Sequence, residues 1–334
     1  MKIKRFVLAM ALMISVTAMA ATAADVAAPD TAAGWKKYEG NPVMGGKYGT
    51  CFDISVLKEA DIYRMWMSWR PKESLAIVES KDGIHWSEPP KIVLKPRKET
   101  GWEDNINRPG IVKRADGYHL WYTGQIKGHS SIGYATSPDG VTWKRMRDKP
   151  VLSPDKPWEK GAVMCPQVIW DDTEKIFKMW YSGGENYEPD AIGYATSKDG
   201  MTWIKSDLNP VFKPAQGNGW DHHKVAGAQV VKHGDWYLMF YIGFETTQHA
   251  QIGLARSRDG VTGWERHPAN PIIRTSLRGS ANDFDSNACY KPCAIYDGTK
   301  WLLWYNGRHG QKEDSSGGME QIGVAFHEGE DLGF

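Results

Sequence analysis

Five short stretches of this 334-residue sequence place chemically different residues at corresponding points of a recurring pattern. The residues at these points are Asp53, Arg108, Cys165, Gly227 and Lys291. A position that serves packing alone should carry one residue type in every copy, so the variation in charge predicts that the set faces a ligand. Asp53 is the best candidate for a general base, because a registered carboxylate can take a proton from water.

A base that activates water needs a partner that donates a proton to the leaving group. Three side chains near the same points of the pattern are candidates for this role: Glu185, Glu245 and His223. The two glutamates are expected at corresponding loop positions in the third and fourth copies. The residues alone do not decide among the three, so all remain candidates beside Asp53.

Cationic, imidazole and amide side chains near these points are expected to bind substrate. They are Arg70, Arg108, Gln125, His222, Lys291, Arg308 and His309. Fixed cations suit carboxylate and sulfate groups, so Arg108, Lys291 and Arg308 together in one channel would favour an anionic substrate. His222 and His223 are adjacent and would point apart on a strand, which makes them a poor chelating pair. No metal site is predicted.

The pattern is a short apolar strand that ends in serine, followed by Asp-Gly, two residues and a tryptophan. Copies begin at Ser80, Ser137 and Ser197; the copy at Ser257 has one extra glycine, and residues 322–329 form a degenerate fifth. Asp-Gly favours tight hairpins. A period near 60 residues built from short strands predicts an all-β, five-bladed β-propeller with four-stranded antiparallel blades.

The last copy lacks a fourth strand, and the start of the chain contains a match for it. Residues 34–43 are similar to residues 263–272. We therefore expect the N-terminal strand to pair into the last blade, which removes exposed sheet edges. The first strand of each blade should line a central channel. Acids that recur in every copy are expected to be structural: Glu103, Glu159, Asp221 and Asp285.

Composition and the N-terminus limit the partners and the compartment. The formal net charge is +1, without long basic runs, which argues against nucleic acid as a partner. Residues 1–23 combine a basic start, an apolar stretch and a small-residue exit, as in a secretory signal peptide. We expect a linker over 24–33, one domain over 34–334, and a periplasmic or secreted protein without a membrane partner after cleavage. The four cysteines are expected to be buried free thiols.

The inner strand Phe52-Asp53-Ile54-Ser55-Val56 and the repeated Ile-Gly-Tyr-Ala-Thr-Ser phrase resemble the five-bladed glycoside hydrolases of families 32, 43, 68, 117 and 130. The resemblance covers almost all of the mature chain. It implies a secreted glycoside hydrolase that acts on an oligo- or polysaccharide, from the chain end and with inversion. It implies no cofactor, although some relatives hold a calcium ion in the channel.

Family 43 would imply an Asp base on blade one, a tuning Asp on blade three and a Glu acid on blade four. Asp53 matches the first position, whereas Cys165 occupies the second and Ala226 or Gly227 the third. Some family 117 enzymes use a histidine as the acid on blade four, and His222 or His223 lies near that place.

Two other functions remain open at this point. The absent acids on blades three and four favour a non-catalytic carbohydrate-binding propeller. A lyase that uses His223 or His309 as its base, with Arg308 to neutralise charge, is the other alternative.

Overall fold

The computed structural model describes residues 29–186, 188–280, 283–310 and 319–334. The predicted signal peptide over 1–23 and the first half of the predicted linker, residues 24–28, lie outside these residues. The described chain is all-β, which confirms the predicted class. No helix in this part of the chain has the length and apolar character needed to span a membrane.

The strands of the described residues form five antiparallel units, which we number in chain order. The first strand of the chain, β1 (Lys36–Lys37), belongs to unit five. Unit one consists of β2 (Cys51–Glu59), β3 (Ile62–Trp69), β4 (Ser74–Ser80) and β5 (Lys91–Leu94). Unit two consists of β6 (Asn105–Arg114), β7 (Gly117–Ile126), β8 (His129–Ser137) and β9 (Lys144–Arg145).

The remaining units repeat this order. Unit three consists of β10 (Ala162–Asp171), β11 (Ile176–Gly184), β12 (Pro189–Ser197) and β13 (Ile204–Lys205). Unit four consists of β14 (Lys224–His233), β15 (Trp236–Phe244), β16 (Ala250–Ser257) and β17 (Glu265–Arg266). Unit five consists of β18 (Ala288–Tyr296), β19 (Lys300–His309), β20 (Met319–Glu328) and β1. The short 3-10 helices of the described chain are Gly46–Tyr48, Arg70–Lys72, Lys98–Thr100, Pro157–Glu159 and Asp283–Asp285.

The two ends of the chain meet in unit five. Strand β1 pairs antiparallel with β20, with Lys36 opposite Phe326 and Lys37 opposite Ala325. The predicted pairing of the N-terminal strand is therefore confirmed. The first strands also contact one another in a cycle: β2 with β6, β6 with β10, β10 with β14, β14 with β18, and β18 with β2. These five strands consequently surround a common central space, as a propeller requires.

Buried tryptophans in the second strands tie neighbouring units together. Each indole Nε1–H donates to the carbonyl of the Asp-Gly turn in the next unit: Trp66 to Gly140 (2.8 Å), Trp121 to Gly200 (2.9 Å), Trp180 to Gly260 (2.8 Å) and Trp304 to Gly83 (2.7 Å). The last of these bonds links unit five to unit one. Unit four carries Phe240 at this point of the repeat and has no such donor.

Trp66→Phe is expected to lower the free energy of unfolding by about 1–3 kcal/mol, because the buried Gly140 carbonyl loses its indole donor. Phe240 shows that a phenyl ring is compatible with this position of the fold. Urea unfolding followed by tryptophan fluorescence and circular dichroism measures the change. Trp102→Phe is the control, because Trp102 donates to Asp148 at the exposed rim. Equal stability of Trp66→Phe and the unmodified protein would contradict the linking role.

The recurring acids are structural, as predicted. Each accepts a hydrogen bond from a second-strand tyrosine: Glu103 from Tyr122 (2.8 Å), Glu159 from Tyr181 (2.8 Å), Asp221 from Tyr241 (2.9 Å) and Asp285 from Tyr305 (2.9 Å). Each is also paired with a cation on its fourth strand: Arg145 (3.0 Å), Lys205 (2.7 Å), Arg266 (2.8 Å) and Lys37 (2.8 Å), respectively. Lys37 lies on β1, so the N-terminal strand supplies the cation of unit five.

The four cysteines are free and buried, which confirms the prediction. They are Cys51, Cys165, Cys289 and Cys293.

Candidate active site

Each first strand contains a β-bulge at the residue that the repeat singled out. All five bulge residues have positive φ: Asp53 (51°), Arg108 (56°), Cys165 (53°), Gly227 (53°) and Lys291 (48°). Non-glycine residues rarely adopt this conformation, and such strain clusters at functional sites. The five positions are therefore structurally equivalent, as the repeat predicted.

Side chains of the preceding unit hold four of these bulges in place. The N–H of Asp53 donates to Oδ1 of Asn306 (3.0 Å), and that of Arg108 to Oγ of Ser68 (3.1 Å). The N–H of Cys165 donates to Oγ1 of Thr123 (3.1 Å), and that of Gly227 to Oγ of Ser182 (2.8 Å). Ile242 occupies the corresponding place opposite Lys291 and has no atom that can accept a hydrogen bond. The boundary between units four and five thus lacks both kinds of inter-unit bond.

A cavity of about 170 Å³ opens around Asp53. Its charged lining consists of Asp53, Glu188, Glu320, Arg70, Arg108 and Arg308. Asp53 is only 3% exposed, and its Oδ2 lies 3.6 Å from Nε of Arg108. That oxygen has no hydrogen-bond partner among the described residues. An unsatisfied carboxylate oxygen in a cavity is well suited to accept a proton from a bound water or hydroxyl group.

Glu320, at the start of β20, is a second carboxyl in the same cavity. Its Oε1 accepts a hydrogen bond from the Tyr290 hydroxyl (2.5 Å), and its Oε2 lies 3.2 Å from Nη2 of Arg70. Burial raises the pKa of Glu320, and the charge of Asp53 acts in the same direction, whereas Arg70 opposes both. Glu320 therefore holds its proton to a higher pH than an ordinary glutamic acid does, which is the property of a general acid.

Two cations near the site, Arg308 and Lys291, have no carboxylate partner among the described residues. Arg308 is 7% exposed; its Nη2 donates to the Gln248 carbonyl (3.1 Å), while its Nε is buried without an acceptor. Lys291 is 2% exposed and has neither a hydrogen bond nor an ion pair within the described residues. The amide Nδ2 of Asn306 is likewise buried and unsatisfied. Arg308 in the cavity lining and Asn306 near it therefore have buried donor atoms without an acceptor among the described residues.

Comparison with known protein families decides the assignment. The family described as "Glycosyl hydrolases family 43" matches this chain over residues 39–322, which is most of its length. The chain belongs to glycosyl hydrolase family 43. The predicted resemblance to this group of enzymes is therefore confirmed.

The chain is also similar, at low sequence identity, to a curated relative and to solved structures. An uncharacterised protein of Mycobacterium tuberculosis is 25% identical over 272 residues, covering 76% of this chain and 86% of the relative. A thermostable family 43 glycoside hydrolase of known structure has a TM-score of 0.66 and 20% identity, covering 85% of this chain and 91% of that one. A structure described as belonging to the GH130 family of mannoside phosphorylases, which contains β-1,2-mannosidic glycoside hydrolases, has a TM-score of 0.67 and 15% identity, covering 89% and 95%.

This family 43 chain departs from the carboxylate set that the resemblance implied. Asp53 stands at the base position, but Cys165 and Gly227 hold the equivalent points of units three and four. Burial raises the pKa of the Cys165 thiol, so this position supplies a neutral group. Glu188 and Glu320 are the other carboxyls that line the cavity, and burial raises the pKa of Glu320.

The internal repeat singled out residues of the first strands and of the loops after the second strands, whereas Glu320 lies on a third strand. Glu320 stands two residues before Ile322 in the third strand of its unit, where units two, three and four carry Ser130, Asp190 and Ala250. An acid that does not recur in every unit is the same signal that pointed to Asp53. Applied to the third strands, it would have found Glu320.

The two glutamates expected as acids lie outside this cavity. Glu185 accepts a hydrogen bond from Nζ of Lys224 (2.7 Å), and this bond lowers the pKa of its carboxyl. Glu245 is exposed and hydrogen-bonded to His249 (2.8 Å). Their expected loop position was wrong by one residue, because Phe244 pairs with Ala250 as Arg308 pairs with Glu320.

The histidine candidates also lie apart from Asp53. His223 is exposed, and Nδ1 of His222 contacts the Gly219 carbonyl at 2.6 Å. His309 is exposed near Asp283, with 4.0 Å between Nδ1 and Oδ2. None of the three lines the cavity.

The predicted binding residues divide into two groups. Arg70, Arg108 and Arg308 line the cavity. Gln125 lies in an adjoining pocket that shares Arg70 and Arg108, where its Oε1 accepts from Nδ2 of Asn107 (2.6 Å). Lys291 is buried at the fifth bulge, with its charge close enough to lower the pKa of Cys165 against the effect of burial. Among the residues that the structure describes, no cluster of three His, Cys, Asp or Glu side chains is placed to hold a metal ion.

Proposed function

We propose that this family 43 protein is a five-bladed propeller hydrolase that removes a terminal sugar, with inversion, from an anionic oligo- or polysaccharide. Asp53 is the general base and Glu320 the general acid. The observation that carries the proposal is the presence of both carboxyls in one cavity, with unlike surroundings. Asp53 faces Arg108 and has a free oxygen, whereas burial raises the pKa of Glu320. Two carboxyls held in different states are what acid–base hydrolysis requires.

The proposed reaction is a single displacement. Asp53 takes a proton from a water molecule as the oxygen of that water attacks the anomeric carbon. The bond from that carbon to the bridging oxygen breaks, and Glu320 gives its proton to that oxygen, so the leaving sugar departs as an alcohol. Tyr290 and Arg70 fix the Glu320 carboxyl, and Arg108 fixes that of Asp53. The anomeric configuration of the first product, observed by proton NMR, tests inversion.

Action at a chain end is supported by the size of the cavity. Its volume of about 170 Å³ lies below the range of roughly 300–1,000 Å³ common for ligand pockets. This space suits one sugar residue rather than a continuous chain. The signal-like residues 1–23 support a periplasmic or secreted location, where polysaccharide fragments are accessible.

The decisive test is product analysis in H₂¹⁸O with a panel of neutral and uronic-acid oligosaccharides. Hydrolysis predicts a reducing sugar that carries one ¹⁸O atom at its anomeric carbon. A product that absorbs near 235 nm without ¹⁸O would favour elimination by a lyase. Binding without any product, unchanged in Asp53→Asn, would favour a non-catalytic carbohydrate-binding protein.

Arg308→Gln is expected to raise KM for a uronic-acid substrate about 10- to 100-fold and to leave kcat for a neutral analogue nearly unchanged. The buried Nε of Arg308 lacks an acceptor, so a substrate carboxylate can supply one, and charge-assisted hydrogen bonds are strong. Steady-state kinetics on the two substrates measure the difference. Arg258→Gln is the control, because Arg258 pairs with Asp235 at the surface. Equal effects on both substrates would contradict recognition of an anion.

Phosphorolysis is a second candidate function, and the same unpartnered cations favour it. Arg308 and Lys291 would suit inorganic phosphate as well as a substrate carboxylate. The fold is shared with a group whose description includes mannoside phosphorylases. Dependence of turnover on phosphate, with a sugar 1-phosphate as product, would identify this reaction; equal rates with and without phosphate would exclude it.

A further inference from the structure

Unit four, together with Ala288 of the adjoining unit five, presents an apolar wall to the cavity, whereas the charged groups of the lining come from the other units. The wall consists of Ala226, Ile242, Phe244, Ala250 and Ala288. The pairing register makes the contrast direct. Ile242 stands where the other units carry Ser68, Thr123, Ser182 and Asn306. Phe244 opposite Ala250 likewise replaces Arg308 opposite Glu320 and Gln125 opposite Ser130.

This substitution pattern has a structural cost. In four units the residue at the Ile242 position accepts the bulge N–H of the following unit, and isoleucine gives up that bond. A Cβ placed on Gly227 would come within 2.5 Å of Cδ1 of Ile242, so Ile242 fills the space of a channel side chain. Loss of a buried hydrogen bond together with loss of a channel side chain indicates that an apolar surface is required here.

We propose that this wall receives a methyl-terminated substituent of the bound sugar, such as the methyl of an acetyl group or of a 6-deoxysugar. Three alanines form a recess, and a sugar hydroxyl pointed into it would lose its hydrogen bonds to water without replacement. The only aromatic ring of the wall, Phe244, is 3% exposed, which leaves little ring surface for stacking on a whole sugar. The inference rests on the proposed function only in that the cavity binds a sugar.

Ligand-observed NMR titration with two matched pairs of monosaccharides tests the inference. The pairs are N-acetyl-D-galactosamine with D-galactose, and L-fucose with L-galactose, which differs from L-fucose by the hydroxyl at C6. We expect the methyl-bearing member of at least one pair to bind about tenfold more tightly, as is usual for one apolar group in a fitted pocket. Preference in the first pair identifies an acetyl group, and preference in the second a 6-deoxy methyl group. No preference in either pair, or no binding, would overturn the inference.

Substitutions at equivalent positions assign any preference to the wall. Ile242→Thr introduces the residue of unit two and is expected to bring the affinity ratio close to one while it restores an acceptor for the Lys291 N–H. Ala250→Ser, after Ser130, is the second variant should the first fold poorly. Thr123→Val is the mirror control: it makes the reverse change in unit two, outside the cavity, and should keep the ratio. An unchanged ratio in both unit-four variants would overturn the inference. Hydrolysis is not needed for this readout, so a preference without turnover would count against the proposed function alone.

Discussion

Asp53→Asn is expected to lower kcat by about 10²- to 10⁴-fold on oligosaccharide substrates, with KM changed much less. The amide keeps the size and the bulge geometry of the side chain but cannot accept a proton from water. The Nε of Arg108, 3.6 Å from the carboxylate, retains a polar neighbour in the variant. Steady-state kinetics, together with thermal unfolding to confirm that the variant is folded, measure the effect.

Glu185→Gln is the matched control for Asp53→Asn. Glu185 was a candidate acid from the sequence, but its carboxylate pairs with Lys224 outside the cavity. The variant should keep kcat within about twofold, because exposed ion pairs contribute little and no reacting atom is nearby. A large loss in Glu185→Gln with a small loss in Asp53→Asn would reverse the assignment of the site.

The repeat predicts much of the fold because it records packing that recurs in each unit. The Asp-Gly phrase marks the turn that accepts a neighbouring tryptophan, such as Trp66 at Gly140, and the aromatic-acid pairs mark buried ion pairs such as Asp285 with Lys37. The spacing of the same repeated phrase located the five bulge positions. A position such as Asp53 differs in charge from its equivalents because it lines a cavity rather than packing against a neighbour that recurs in every unit.

First strands and the loops after second strands do not reveal the proposed acid, Glu320, for two physical reasons. Strand side chains alternate in direction, so an error of one residue placed Glu185 and Glu245 in the channel while the backbone turns them to its rim. Burial, which raises the pKa of Glu320, and the hydrogen bond from Tyr290, which opposes that rise, both depend on the packing of β18 near β20, and no local pattern records it. Lys291 stands at the fifth bulge, as the repeat predicted, but its lack of an ionic partner was visible only in three dimensions.

Glu320→Gln is expected to lower kcat by about 10²- to 10⁴-fold on natural oligosaccharides and by less than tenfold on an aryl glycoside such as a 2,4-dinitrophenyl glycoside. A natural leaving sugar needs a proton on the bridging oxygen, whereas dinitrophenolate is stable as an anion. The glutamine still accepts from Tyr290 and contacts Arg70, so the fold around it should persist. A uniform loss on both leaving groups would indicate that Glu320 positions the substrate and does not donate the proton.

The pH profile provides an independent test, and its sign follows from the surroundings of Glu320. Burial and the charge of Asp53 raise the pKa of Glu320, so the reactive protonated form persists to higher pH, and the fall of kcat/KM on the basic side should lie above the ordinary glutamate value of about 4.3. Arg70 lowers that pKa, so Arg70→Met should move the basic limb to higher pH. Glu320→Gln should abolish the limb with the aryl glycoside. A limb that stays in place in both variants would assign the proton donor to another group, because only the donor's own titration responds to both substitutions in this way.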